Sequence, residues 1–177
     1  MADQREILAE GKYLKLVKEG TWEYAERTRG IRAVAIVALT RKGEMIFTEQ
    51  YRVPCKCRVI DLPAGLVGDE PGCEHEPELE AARRELLEET GFIAETFEKL
   101  VCGPTTAGLA SERVTFYMAE NCDRVASGGG VAGEEIQIHL VPASEALGWM
   151  REVEKEERQI DVKTWFAAAW MAHRNPH

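Results

Sequence analysis

Over the first sixty residues apolar positions alternate with polar ones or gather in short blocks, and further along the chain they take up a helical period. Lys12–Lys18 sets Leu14 and Leu16 on one face, with Tyr13 and Val17 around Lys15 on the other, and Trp22–Arg27 follows the Glu19-Gly20 turn, so the two stretches predict a hairpin. Two strands do not stand alone in water, so this pair must pack on the main body or on another subunit. Ile31–Thr40 is an apolar run broken only by Arg32; it ends at Arg41-Lys42-Gly43 and is followed by Glu44–Tyr51, which predicts a second hairpin with a buried first strand. Arg58–Leu62, Phe97–Cys102, Arg113–Ala119 and the alternating Ile136–Leu140 complete the strands. Helices are expected from Pro77 to Gly91, after Pro142-Ala143-Ser144, and from Arg158 to Arg174, the last with Trp165, Phe166, Ala169 and Trp170 on its apolar side. Gly128–Gly133 reads as the most flexible stretch. Helices and strands mix without a regular βαβ series, so the fold class is α+β, with helices packed on a mixed sheet.

Composition narrows this picture. A chain of 177 residues suits one domain that buries about 70% of its unfolded surface, here with a small N-terminal element, residues 1–28, ahead of a body of residues 29–177. A net charge of −9 argues against nucleic acid or an anionic membrane as a partner. The N-terminus has no signal-peptide pattern and the longest apolar run is too short to span a bilayer, so a soluble, cytoplasmic protein is expected. Five cysteines form no disulfide framework, and neither Cys55/Cys57 nor Cys73/His75 has zinc-ligand spacing.

The acidic helix carries the chemistry. Glu85, Glu88 and Glu89 lie at i, i+3 and i+4 and share one face in the last turn, where the helix dipole favours cations. Mutual repulsion and the dipole both penalise this turn, so something positive must offset it. Hard carboxylate oxygens beside a glycine-rich loop suit Mg²⁺ or Mn²⁺ better than zinc or iron.

Gly65, Glu76 and the run Arg84-Glu85-Leu86-Leu87-Glu88-Glu89-Thr90-Gly91-Phe92 resemble the Nudix box, Gly-x5-Glu-x7-Arg-Glu-U-x-Glu-Glu-x-Gly-U. From Glu76 onward every defined position fits, while ten residues rather than five separate Gly65 from Glu76, which predicts an enlarged loop. Trp22-Glu23-Tyr24, Arg27, Glu49-Gln50-Tyr51-Arg52, Leu62-Pro63-Ala64-Gly65 and Ile160–Thr164 are together similar to the ADP-ribose and nucleoside diphosphate sugar pyrophosphatases.

That resemblance implies a Nudix α/β/α sandwich and Mg²⁺-dependent cleavage of a nucleotide sugar to nucleoside monophosphate and sugar phosphate, with Mn²⁺ as a substitute ion. By the same resemblance Glu85 and Glu89 are principal metal ligands, Glu88 is auxiliary, the Ala64 carbonyl contributes, and Arg84 braces the glutamates. Trp22 stacks on the base, Arg27, Arg52 and Glu112 meet substrate, and the N-terminal strands form a homodimer. The general base comes from the loop 126–135, with Glu134 as the candidate and Glu135 in reserve. Asp161 and Lys163 are read as structural. ADP-ribose-selective members often carry a proline where this chain has Ala107, so the expected substrates are nucleoside diphosphate sugars as a class. Two other readings are a hydrolase of nucleoside triphosphates or dinucleoside polyphosphates, and a non-catalytic nucleotide-binding module. The intact acidic turn speaks against the second.

Overall fold

The computed structural model describes residues 5–29, 32–69, 72, 75–131, 133, 135–156 and 158–174. The chain opens with β1 (Arg5–Glu10), β2 (Leu14–Glu19) and β3 (Trp22–Arg27), an antiparallel three-stranded sheet rather than the expected hairpin. The extra strand, β1, is exposed along its whole length. Its mixed polar sequence has no buried face to impose a period, and so gives no clear strand pattern. A short bridge holds this sheet to the body: the Ala25 N–H donates to the Leu109 carbonyl at 2.8 Å and the Ser111 N–H to the Ala25 carbonyl at 3.0 Å.

The body follows as β4 (Ala33–Thr40), β5 (Glu44–Arg52), β6 (Cys57–Asp61), β7 (Ala64–Leu66), α1 (Glu78–Thr90), β8 (Phe92–Ile93), β9 (Thr96–Pro104), β10 (Arg113–Arg124), β11 (Gln137–Pro142), α2 (Ala146–Glu154), β12 (Gln159–Ile160) and α3 (Val162–Arg174). Strands β4 to β12 form one mixed sheet, parallel where β10 meets β4 and β12 meets β6. The apolar run of β4 is buried on both faces. Val34, Ile36 and Ala38 pack towards Ala81, Ala82 and Leu86 of α1, while Ala35 and Val37 join Met150 of α2 and Ala167, Ala168 and Met171 of α3. Two helical layers around one sheet make the α/β/α sandwich, and they explain why β4 reads as a continuous run rather than as an alternation.

Helix α3 departs from expectation. Its first residues instead form β12, because Gln159 and Ile160 pair with Val59 and Ile60. Its buried face carries Thr164, Ala167, Ala168 and Met171, not Trp165, Phe166, Ala169 and Trp170. The small residues let the helix approach the sheet closely. Trp165 and Trp170 pack at the edge of the core, and Phe166 stays 68% exposed.

Candidate active site

Helix α1 begins after Pro77, with Glu78 and Glu80 at its positive end, and stops at Gly91, whose φ of 74° and N–H to the Leu87 carbonyl close the last turn. The glycine-rich stretch expected to be flexible is in fact tied to that end. The Gly129 N–H donates to the Glu89 carbonyl at 2.8 Å and the Gly130 N–H to the Glu88 carbonyl at 3.0 Å. These donors fill the last-turn acceptors where the sequence provides no basic side chain.

The positive group demanded by the acidic turn is Arg84. Its Nη1 donates to Glu85 Oε1 at 2.8 Å and to Glu88 Oε2 at 3.1 Å; its Nη2 reaches the Leu66 carbonyl at 3.1 Å and Glu76 Oε2 at 3.2 Å. Burial opposes the guanidinium charge, but Glu76 and Glu85 outweigh it and hold the Arg84 pKa above its ordinary value. Burial also pushes the Glu85 carboxyl up to about 7, a shift that Arg84 only partly offsets. Glu89 is buried and its Oε2 accepts the Ala64 N–H at 3.0 Å. Gly65 leaves room for this packing, since a Cβ there would fall 2.0 Å from Glu85 Cδ.

Ala64, Arg84, Glu85 and Glu88 open onto a cleft of about 950 Å³, which Arg27, Arg52 and Glu112 also line. Arg52 is exposed and has no ion-pair partner among the described residues, although pairing with a surface acid is the commoner fate of an arginine. Arg27 is paired with Glu112, Nε to Oε1 at 2.6 Å, so two of the expected substrate contacts hold each other. Trp22 stands apart from the cleft. It is 61% exposed and lines a separate hollow of about 440 Å³ with Tyr24, Ala107 and Gly108. Glu134 lies outside the described residues; Val131 of the same loop lines the cleft, and Glu135 is exposed.

The cleft also gathers groups that the pattern does not single out. Lys163 Nζ sits 2.6 Å from Asp61 Oδ2 and 3.0 Å from Asp161 Oδ2, and all three side chains line the wall. Phe166 and Val162 lie beside them, and Asp69 enters from the enlarged loop. The match at Ile160–Thr164 marks the segment, but an Asp-x-Lys triplet reads equally well as a helix cap.

Glu85, Glu88 and Glu89 are hard oxygen donors of the kind a divalent cation takes, and Gly65 leaves the space that the Glu85 carboxylate occupies. Among the described residues no three acidic, histidine or cysteine side chains are gathered closely enough to hold an ion as they stand, and the Arg84 guanidinium bonds both Glu85 and Glu88. Cys55 and Cys57 are free thiols, and Cys73 lies outside the described residues.

Residues 30–171 match the NUDIX domain family, and the chain belongs to it. It is similar to the GDP-mannose pyrophosphatase of Pectobacterium atrosepticum, 34% identical over 154 residues, covering 78% of this chain and 77% of the relative. It is similar also to the ADP-ribose pyrophosphatase of Bacillus subtilis, 32% identical over 141 residues with 78% and 71% covered. The methanol dehydrogenase activator of Bacillus methanolicus is 31% identical over 142 residues, with the same shares covered. A crystal structure of an ADP compounds hydrolase superposes with a TM-score of 0.76 over 98% of this chain and 92% of that one; at 18% identity it speaks for the fold alone.

Proposed function

We propose that this Nudix hydrolase cleaves the pyrophosphate of nucleoside diphosphate sugars, of the ADP-ribose and GDP-mannose type, to a nucleoside monophosphate and a sugar phosphate. The observation that carries the reading is a single cleft with the acidic face of α1 among its walls and, among its lining groups, the exposed Arg52, which has no ion-pair partner among the described residues. The names of two relatives supply the substrate class.

Glu85, Glu88, Glu89 and the Ala64 carbonyl would hold Mg²⁺, or Mn²⁺ in its place. When bound, the cation spreads the negative charge of the bridging phosphates and lowers the pKa of water. Arg84 keeps the carboxylates apart and oriented, and Arg52 binds a phosphate as a charge-assisted donor. Arg27 reaches substrate by exchanging Glu112 for it. Water attacks phosphorus in line as the bridging P–O bond breaks, and Glu134, or else Glu135, accepts its proton.

The N-terminal sheet exposes Ile7, Leu8, Leu14, Leu16 and Trp22, a surface suited to a second copy of the chain. In such a homodimer Trp22 stacks on a base across the interface. We place the enzyme in the cytoplasm, in keeping with its free thiols; no helix of the described residues is long and apolar enough to cross a membrane.

Incubation with Mg²⁺ and a panel of ADP-ribose, ADP-glucose, GDP-mannose, UDP-glucose and nucleoside triphosphates should release monophosphate from the nucleotide sugars. Turnover of the triphosphates alone would replace this reading, and no metal-dependent product from any of them would remove it.

A further inference from the structure

The enlarged loop between Gly65 and Glu76 has five residues more than the box pattern requires, ten against five. Its first limb is fixed. The Val67 N–H donates to the Arg32 carbonyl at 2.9 Å, the Leu66 carbonyl accepts Arg84 Nη2 at 3.1 Å, and Arg29 Nη1 donates to the Asp69 carbonyl at 3.3 Å. A left-handed residue, Gly68 at φ 73°, turns the chain just before Asp69. The side chain so delivered lines the same cleft as Glu85 and Glu88.

Asp69 Oδ1 is buried and makes no hydrogen bond among the described residues. The 37% of the side chain that remains exposed belongs to its other atoms. Among the described residues its one ion pair is to Arg84 Nη2 at 3.8 Å, beyond hydrogen-bond reach, and that nitrogen also donates to Leu66 and Glu76. A carboxylate oxygen buried with this one long ion pair and no hydrogen-bond donor among the described residues is poorly compensated for the water it has given up. A solvated surface loop would have no reason to hold it there. A hard divalent cation on the Glu85/Glu88 face removes the cost, since Mg²⁺ and Mn²⁺ take carboxylate oxygens either directly or through water.

We propose that Asp69 is an additional carboxylate of the divalent-cation site, carried in by the enlarged loop. The inference rests on the cation site assigned above but not on the identity of the substrate. It gives the insertion a chemical purpose: one more negative group tightens the hold on the ion while Arg84 remains engaged with Glu76.

The test is Mn²⁺ uptake without substrate, followed by loss of the free-ion electron paramagnetic resonance signal. The wild-type protein should bind Mn²⁺, and Asp69→Asn should weaken that binding about tenfold or more, or remove one ion from the count. Asp69→Glu should recover part of it. Circular dichroism confirms that each variant is folded, and Asp69→Ala serves if Asp69→Asn is not. Superimposable isotherms for wild type and Asp69→Asn would overturn the proposal, as would a wild-type protein that takes up no Mn²⁺. An unchanged isotherm with a raised KM would also overturn it, in favour of a contact to substrate. Turnover on the substrate panel is a separate reading: Mn²⁺ binding that depends on Asp69 in a protein that cleaves no nucleotide sugar would sink the proposed function and leave this inference standing.

Discussion

Gly65 and Gly91 flank the acidic helix and constrain it differently. A methyl group at Gly65 meets the carboxylate of Glu85, the far end of a flexible side chain, whereas at Gly91 it meets the Ala126 carbonyl at 2.1 Å on a backbone already at positive φ. Gly65→Ala should therefore cost less than about 1 kcal/mol of stability yet displace Glu85, lowering metal-dependent turnover at least about tenfold. Gly91→Ala should cost about 2 kcal/mol or more, through left-handed strain and the clash with the loop. Thermal melts and initial rates on the two variants separate these outcomes; equal melting temperatures would show that the loop yields. Glu89→Gln keeps an acceptor for the Ala64 N–H and removes one charge from the crowded turn. Its metal-free melting temperature should match or exceed that of the wild type, while turnover falls about a hundredfold; near wild-type rates would show that Glu89 is not a ligand. At this scale the sequence is most telling where residues are local in the chain. Glu85, Glu88 and Glu89 are legible because one helical turn dictates their shared face. The Arg27–Glu112 pair spans 85 positions, and no local period reports it.

At the level of elements, β5, β6 and β11 are joined by a buried charge. Glu49, whose side chain is 2% exposed, accepts Arg58 Nε at 2.6 Å and Arg158 Nη1 at 3.0 Å, and its Oε2 lies 2.8 Å from His139 Nε2. Burial alone would raise its pKa, but Arg58, His139 and Arg158 prevail and hold the carboxyl below its ordinary value of 4.5. A depressed folded pKa means that the folded state binds fewer protons, so this contribution is fully present above about pH 4.5 and is lost as the pH falls through the folded value. Glu49→Gln should lower stability by about 2–4 kcal/mol at neutral pH, because Arg58 loses its carboxylate and Arg158 keeps only Glu156, and should flatten the decline on acidification. Urea titrations at pH 7 and pH 3.5 check this; an equal loss at both values would mean that the carboxylate charge contributes nothing. Strand identities in this region follow from their apolar periods, but strand order does not. The parallel docking of Gln159–Ile160 on β6 is a two-residue match, too short to show a period, and the face of α3 is ambiguous in sequence because apolar residues cover most of its circumference.

For the whole molecule, the distribution of exposed apolar groups matters most. One group of them lies on the N-terminal sheet, where Val17 is buried while Ile7, Leu14, Leu16 and Trp22 are exposed. Deleting residues 1–28 should convert the proposed dimer into monomer or aggregate in light scattering, and a soluble dimer of the truncated chain would place the interface elsewhere. The segment that holds this sheet is also part of the cleft. Leu109 and Ser111 grip Ala25, while Thr105, Thr106 and Glu112 on either side line the cleft. Assembly and occupancy therefore share one strip of backbone. By thermodynamic reciprocity, the factor by which a nucleotide strengthens subunit association is the factor by which association strengthens nucleotide binding. In the homodimer proposed above, a nucleotide that strengthens association would bind more weakly on dilution to concentrations where the subunits part.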